Sequence, residues 1–164
     1  MRYIKEDTNV VFSEVPDEIT LAINISNCPH RCKGCHSPYL QKDKGDELTY
    51  DVVADLINKN EGISCVCFMG GDANKDELVA LVTQVRENFP TLKTAVYSGD
   101  EKIYKPYYNI FDYIKIGPYI EEKGPLNSKT TNQKMFYLFN SRYWDERGLI
   151  DITKKFQKNN ETDK

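Results

Sequence analysis

The chain has 164 residues and a net charge of −3, a size that suits one domain with its own core. This acidic balance provides no basic stripe of the kind that duplex binding requires, so we expect no nucleic-acid partner. No apolar run approaches the roughly 20 residues of a membrane span, and the charged segment 1–10 lacks the apolar region of a secretory signal. Five cysteines in such a chain favour a reducing cytoplasm and no membrane partner.

Apolar segments of strand length alternate along the chain with helical patterns. The segments expected to be strands are mostly apolar; they are residues 9–12, 19–25, 63–69, 92–97 and 113–116. Two segments with apolar residues at helical spacing are expected to be amphipathic helices; they are residues 49–60 and 74–89. The second helix is expected to begin with Asn74 as its N-cap and Glu77 three residues later, which is close to a capping box.

The last part of the chain interrupts this alternation. Residues 118–134 are rich in Gly, Pro, Ser, Thr and Asn and predict a loop, whereas residues 135–139 and 149–152 are expected to pair as a hairpin. We therefore expect a single α/β domain over residues 1–153, followed by a polar C-terminal tail over residues 154–164.

The length of the chain limits the architecture that a β/α alternation can build. A complete eight-fold β/α barrel typically needs about 250 residues, so we expect a partial barrel that is open along its side. Such an opening favours a macromolecular substrate that reaches in from outside over a small molecule that the protein encloses.

Three cysteines lie within eight residues, at the spacing C-x3-C-x2-C; they are Cys28, Cys32 and Cys35. A closed structural zinc site uses four ligands, whereas three thiolates on one loop leave one metal of a four-iron cluster open to another ligand. Arg31 and Lys33 lie between the cysteines, and their charge favours the thiolate, which is the form that binds metal. This pattern predicts an open metal site.

Other interpretations of the cysteines remain. The main alternative is a structural zinc site that adds His30 or His36 to the three thiolates, and a smaller one is a set of inert buried thiols. A disulfide framework is disfavoured in a reducing compartment. Cys65 and Cys67 lie two residues apart in an apolar run, so we expect both on one face of a strand, packed in the core.

A glycine pair follows the apolar segment 63–69, in the sequence Gly70-Gly71-Asp72. Glycines between a strand and a helix let the backbone approach a ligand closely, at the strand end where β/α folds bind their ligands. On its own a glycine pair is usually only a turn.

Taken together, the cysteine loop and the glycine pair resemble the motifs of the radical S-adenosylmethionine (SAM) enzymes, with Asp72 in place of the glutamate of a Gly-Gly-Glu motif. The resemblance implies a partial (open) β/α barrel of the radical SAM type. It also implies a [4Fe-4S] cluster held by the three cysteines, and S-adenosyl-L-methionine bound to the fourth iron, with its amino group at Gly70, Gly71 and Asp72.

A longer series of segments resembles the activating proteins of anaerobic ribonucleoside-triphosphate reductase; the segments are residues 26–37, 68–72, 97–99, 112–119 and 130–133. In that family the positions that match Gly34, Cys35, His36 and Gly71 contact SAM. The resemblance implies that an electron from flavodoxin or ferredoxin cleaves SAM to methionine and a 5'-deoxyadenosyl radical. That radical takes a hydrogen atom from a glycine of the large reductase subunit, which is the protein substrate.

Two further residues are candidates for cofactor binding. Lys115 lies inside the strand-like segment 113–116, where a buried charge needs a partner, and we expect it to meet the SAM carboxylate unless it forms an ordinary ion pair. His36 is expected either to contact the adenine or to be a surface residue. No role is assigned to His30, Asn132 or Gln133, and no residue is named as a catalytic acid or base because hydrogen abstraction needs none.

Three alternative functions follow from the same residues. One is an activase of another glycyl-radical enzyme such as pyruvate formate-lyase, and another is a radical enzyme that acts on a small molecule. The third is a zinc-binding module without catalytic activity.

Overall fold

A seven-stranded mixed β-sheet organises the chain in the computed structural model, which describes residues 1–140 and 147–160. The nine described strands are β1 (Arg2–Tyr3), β2 (Asn9–Val11), β3 (Thr20–Asn24), β4 (Asp46–Glu47), β5 (Cys65–Met69), β6 (Lys93–Tyr97), β7 (Tyr113–Ile116), β8 (Lys134–Asn140) and β9 (Arg147–Asp151). The α-helices are α1 (Tyr50–Lys59), α2 (Lys75–Asn88) and α3 (Tyr107–Ile110). Short 3-10 helices cover Lys5–Asp7, Pro38–Gln41 and Thr153–Asn160.

The strand order in the large sheet is β2-β3-β5-β6-β7-β8-β9. Strands β3, β5, β6 and β7 are parallel, whereas β2, β8 and β9 run antiparallel to their neighbours. The last residues of β3, β5 and β6 pair across the sheet with each other and with the penultimate residue of β7, and this row is Asn24, Met69, Tyr97 and Lys115. The segments that follow these strands therefore meet at one edge of the sheet, as in other α/β folds that bind ligands there.

Each face of the sheet has its own core. On one face, helices α1, α2 and α3 pack their buried residues against side chains such as Ile23, Phe68 and Ile114. On the other face, Cys65 and Cys67 pack with Val15 and other buried residues. The prediction that Cys65 and Cys67 are core residues is confirmed, since both are fully buried and burial raises the pKa of each thiol well above its usual range.

The predicted strands and helices all form, with bounds that differ by a few residues. Helix α1 begins after Thr49, whose hydroxyl accepts a hydrogen bond from the Val52 N–H at 3.3 Å. Helix α2 begins after Asn74 as predicted, but the Asn74 side chain makes no capping hydrogen bond. The capping box is absent because Glu77 accepts a hydrogen bond from the N-terminal amino group of Met1 at 2.6 Å instead.

Several elements were not expected from the sequence. Strands β1 and β4 form a separate two-stranded sheet of two residues each, too short to give a periodic pattern. The predicted tail begins inside the 3-10 helix Thr153–Asn160, whose Phe156 packs on the second core, and residues 161–164 lie outside the described part of the chain. Among the described residues, no helix is long and apolar enough to cross a bilayer.

Candidate functional site

A cavity of about 220 Å³ lies at the edge of the sheet where the parallel strands end. Its lining combines residues from three loops that the sequence analysis singled out separately. The predicted site residues that line it are Cys28, Cys32, Cys35, Gly70, Asp72 and Lys115. The structure thus brings the cysteine loop, the glycine pair and the buried lysine to one place.

The cysteine loop leaves β3 and turns repeatedly. Asn27, Arg31 and Gly34 all have positive φ angles, between 52° and 70°, which is a left-handed conformation that interrupts any regular element. The Cys28 N–H donates to the Leu40 carbonyl at 2.9 Å and fixes the start of the loop to the segment that follows it. These turns direct three thiols that are half-buried and not disulfide-bonded toward the same cavity.

The three cysteine sulfurs are not among the ligand atoms of the described residues that lie within 4.8 Å of one another; that set is formed by His30, Asp72 and Asp100. Burial, assisted by the nearby Asp72 carboxylate, raises the pKa of the Cys28 thiol.

Asp72 connects the loops that surround the cavity. Its side chain is 4% exposed, and it accepts hydrogen bonds from His30 Nε2 at 2.8 Å, Ser98 Oγ at 2.7 Å and the Gly99 N–H at 2.8 Å. His30 also lies 3.5 Å from Asp100. Both carboxylate oxygens of Asp72 are therefore used by the protein itself. Asp72 lines the cavity, and its contacts are those of a residue that positions the cysteine loop.

The two glycines of the pair have different surroundings. Gly70 lines the cavity, and its N–H donates to the Tyr97 carbonyl at 3.0 Å. Gly71 has a φ of 99°, and a Cβ atom added there would lie 2.8 Å from Leu78 Cδ2, on the side of the core. Gly71 does not line the cavity, so a larger residue at that position would disturb the packing of α2 before it met a ligand.

Lys115 is a buried cation that faces the cavity. Its side chain donates to the Gly117 carbonyl at 2.9 Å and lies 5.7 Å from the centre of the Tyr97 ring. No carboxylate of the described residues lies within 4.0 Å of its ammonium group, although the residue is only 8% exposed. Burial lowers the pKa of Lys115 to about 8, against the opposing effect of the negative charge of Asp72 and of the cysteine side chains. An anionic ligand group would supply the missing partner.

The remaining predicted residues lie on the outer part of the cysteine loop. The His36 ring packs against Tyr119 with 5.0 Å between ring centres. Gly34 lines neither this cavity nor the next one, and a Cβ atom there would lie 3.1 Å from the Glu121 carboxylate. Cys35 and His36 line a second cavity of about 580 Å³, which also contains Lys115.

This second cavity continues toward the surface. It shares Ser13, Asn127 and Phe156 with a third cavity of about 550 Å³. The third cavity is also lined by Phe12, which is 73% exposed and is the most exposed large apolar residue described. A groove therefore runs from Phe12 to Lys115; we call it the Phe12 groove.

Sequence reasoning missed part of the site. His30, Ser98 and Gly99 also line the cavity. The sequence could indicate only residues 98–99, because they follow a predicted strand that ends at the same edge of the sheet. Asn132 and Gln133 hold the loop after β7, since their side-chain amides donate to the carbonyls of Pro118 and Gly117, at 2.9 Å and 3.3 Å.

Comparison with known protein families agrees with this geometry. Residues 19–135 match the family described as a 4Fe-4S single cluster domain, a segment that extends from just before β3 into β8 and contains the whole cavity. No curated protein and no solved structure matched the chain in the corresponding comparisons.

Proposed function

The chain belongs to the family of 4Fe-4S single cluster domains, and from this premise we propose that Cys28, Cys32 and Cys35 hold the cluster and leave one iron for S-adenosyl-L-methionine. The observation that carries the proposal is the convergence of three thiols with Gly70 and Lys115 on one cavity, where no carboxylate of the described residues lies within 4.0 Å of the Lys115 ammonium. Three protein ligands for four irons leave a coordination position for a cofactor.

We further propose that the protein is a radical SAM activase, which generates a glycyl radical on the large subunit of anaerobic (class III) ribonucleoside-triphosphate reductase. Two facts support this substrate. The matched family is the one found in the activating proteins of these reductases, and five segments of the chain resemble those proteins.

The residues of the chain bind and orient rather than transfer protons. When bound, the cluster and SAM supply an electron and a carbon radical, which need no general base. Lys115 offers its ammonium to the SAM carboxylate, and Gly70 exposes its backbone where the amino group would lie. Asp72 and His30 hold the cysteine loop against the ends of the strands. Together these residues would provide the close and fixed approach of the reacting atoms that hydrogen abstraction requires.

The same proposal interprets the sheet as a partial, open barrel. All buried residues of the described α-helices pack on one face of the sheet, whereas residues such as Val15 and Leu126 cover the other. Helices on the outside and a loop-covered interior are the arrangement of a β/α barrel that does not close.

The Phe12 groove fits a protein substrate. It connects the exposed Phe12 to Cys35 and Lys115 through cavities that share lining residues, so it provides a path from the surface to the cysteine loop for a segment of another protein. A flexible glycine-bearing loop of the reductase could enter along this groove, whereas a metabolite would not need the aromatic residue at its mouth.

The experiment that tests the function is anaerobic reconstitution followed by activation of the reductase. We expect about four irons and four sulfides per chain, methionine release from SAM on reduction, and a glycyl-radical electron paramagnetic resonance signal on the large subunit. Changing the target glycine of the subunit to Ala should remove the signal but not SAM cleavage. Stoichiometric zinc without iron uptake would contradict the cluster, and turnover of pyruvate formate-lyase or of a small metabolite instead would contradict the proposed substrate.

A further inference from the structure

The exposed surface around the cysteine loop is basic, although the chain as a whole is acidic. Residues 28–44 contain four basic side chains and one acidic side chain, so this segment carries a charge of +3, whereas the remainder of the chain carries −6. The basic residues are all exposed; they are Arg31, Lys33, Lys42 and Lys44. Positive charge is therefore concentrated in this segment, which ends shortly before the exposed Asp46 and Glu47 of β4.

Backbone hydrogen bonds place these residues side by side. The segment that carries Lys42 and Lys44 runs along residues 26–28, since the Asn27 N–H donates to the Lys42 carbonyl at 3.2 Å and the Ser26 hydroxyl donates to the Lys44 carbonyl at 2.6 Å. The two lysines thus adjoin the start of the cysteine loop.

Arg2 adds a fifth cation to the same surface. Its guanidinium donates to the Gly45 carbonyl at 2.8 Å and lies 3.8 Å from Asp43, the one acidic residue of the segment. We call the set of Arg2, Arg31, Lys33, Lys42 and Lys44 the basic surface.

Most of this charge is available to a partner. Among the described residues, no carboxylate lies within 4.0 Å of the charged groups of Arg31, Lys42 or Lys44. Lys33 lies 3.7 Å from Glu121, but both side chains are mostly exposed, and such a pair is weak. Three exposed cations that have no carboxylate partner among the described residues, Arg31, Lys42 and Lys44, favour association with an acidic macromolecule.

We propose that the basic surface docks an acidic one-electron carrier protein that reduces the cluster. This inference rests on the proposed function, because only a redox-active cluster needs such a carrier. Arg31 and Lys33 lie between the cluster ligands, so a carrier bound here is separated from the cluster by one loop. The reduced carrier gives up one electron, the cluster gains it, and no bond or proton is exchanged.

The basic surface is separate from the Phe12 groove. None of its five residues lines the cavities of that groove. The two proposed contact surfaces therefore share no residue, although both include parts of the cysteine loop.

The test compares two variants with the same change in net charge. Lys42→Gln/Lys44→Gln removes two charges from the basic surface, and Lys59→Glu changes the net charge equally in α1, at the end that leads to the start of β5. Lys59 contacts only the exposed Asp55 in the described structure. Reduced flavodoxin and reduced ferredoxin are each mixed with the reconstituted protein, and cluster bleaching is followed by stopped-flow absorbance. Binding of each oxidised carrier is titrated in parallel.

We expect the double variant to be reduced roughly three- to tenfold more slowly than the wild type at low salt by at least one carrier, with a matching loss of carrier binding. The difference should disappear at about 0.5 M salt, where exposed charges are screened. Lys59→Glu should behave as the wild type. Photoreduced deazaflavin, a small reductant without a docking surface, should reduce all three proteins at the same rate.

Equal rates and equal carrier affinities for the double variant and Lys59→Glu would overturn the proposed docking surface. A double variant that deazaflavin also reduces more slowly would overturn it too, because the substitutions would then have altered the cluster itself. The assay reads reduction and binding, not radical transfer. A slowed reduction together with absent SAM cleavage would therefore support the basic surface and contradict the proposed activity.

Discussion

Lys115 is the residue at which burial and charge conflict most directly. Its ammonium group is enclosed, has one carbonyl acceptor and no carboxylate of the described residues within 4.0 Å. A buried cation without a counter-charge is costly, and the lowered pKa of Lys115 reports this cost. A bound carboxylate would remove the cost, which is why a residue unfavourable for the free protein can be favourable for the complex.

The charge state of Lys115 predicts a pH dependence of SAM binding. The pKa of Lys115 is lowered to about 8 in the ligand-free protein, so the ammonium is present below this pH and is lost as the pH rises through it. We expect the Lys115→Met variant to bind SAM roughly 10- to 100-fold more weakly at pH 7, as for loss of a hydrogen bond to a charged group. The difference between wild type and variant should shrink above pH 8, measured by equilibrium binding to the reconstituted proteins.

The Lys115→Met variant is also the control for the titration of SAM itself, whose amino group ionises in a similar range. Both proteins share that ionisation, so only the difference between their binding curves reports Lys115. A constant ratio of the two affinities from pH 6.5 to about 9.5 would contradict a direct contact between Lys115 and the carboxylate.

At the scale of elements, the site is a junction of strand ends. Asp72 follows β5, Ser98 and Gly99 follow β6, and His30 belongs to the loop after β3. Three hydrogen bonds to one buried carboxylate connect these segments. Because the sheet holds the parallel strands in register, these hydrogen bonds also fix the position of the cysteine loop.

The two histidines of the chain allow this anchoring to be tested. We expect His30→Ala to release iron to a chelator several-fold faster than the wild type, because the loop loses its bond to Asp72 and leaves that carboxylate less satisfied, at a cost of about 1–3 kcal/mol. His36→Ala removes only the exposed packing on Tyr119 and should release iron at the wild-type rate. Iron release is followed by absorbance of the chelate. Equal release from both variants would show that the His30–Asp72 bond does not hold the loop.

The elements themselves could largely be predicted from the sequence, but their junction could not. Apolar runs and helical periodicity identified the strands from β5 to β7 and the helices α1 and α2, because each pattern is local. The pairing of His30 with Asp72 joins residues that are 42 positions apart, and no local pattern contains that information. The capping box at α2 was wrong for the same reason, since Glu77 is bound by the distant N-terminal amino group.

For the whole molecule, the two ends of the sheet have different functions. At the end away from the cysteines, the buried Glu18 accepts hydrogen bonds from Ser64 at 2.6 Å, Lys93 and Tyr113 at 2.7 Å. Burial alone would raise the pKa of Glu18, but these bonds together lower it. The start of β3 is thus tied to the starts of β5, β6 and β7 by Glu18, as the loops at the opposite end are tied by Asp72.

The open barrel predicted from chain length remains a proposal, but the groove on its side gives it a testable consequence. Val15 and Phe156 pack on the face of the sheet opposite the α-helices, and the groove between their loops connects Phe12 with Cys35 and Lys115. The chain length indicated that a barrel would stay open. Chain length could not indicate where the barrel would be open, because the position of the opening depends on how the loop after β2 packs on the C-terminal 3-10 helix.

Phe12 therefore provides the last prediction. If the reductase loop enters along the Phe12 groove, Phe12→Ser should lower the glycyl-radical yield at limiting reductase by about tenfold, as for an aromatic anchor in an interface. Cleavage of SAM without the reductase should be unchanged, because Phe12 does not line either of the cavities that Lys115 lines. Ile150→Ser, at another exposed apolar residue, which is 47% exposed and lies on the edge strand β9, is the control. Radical yield is measured by electron paramagnetic resonance; an equal yield from both variants would exclude the groove as the entry path of the substrate.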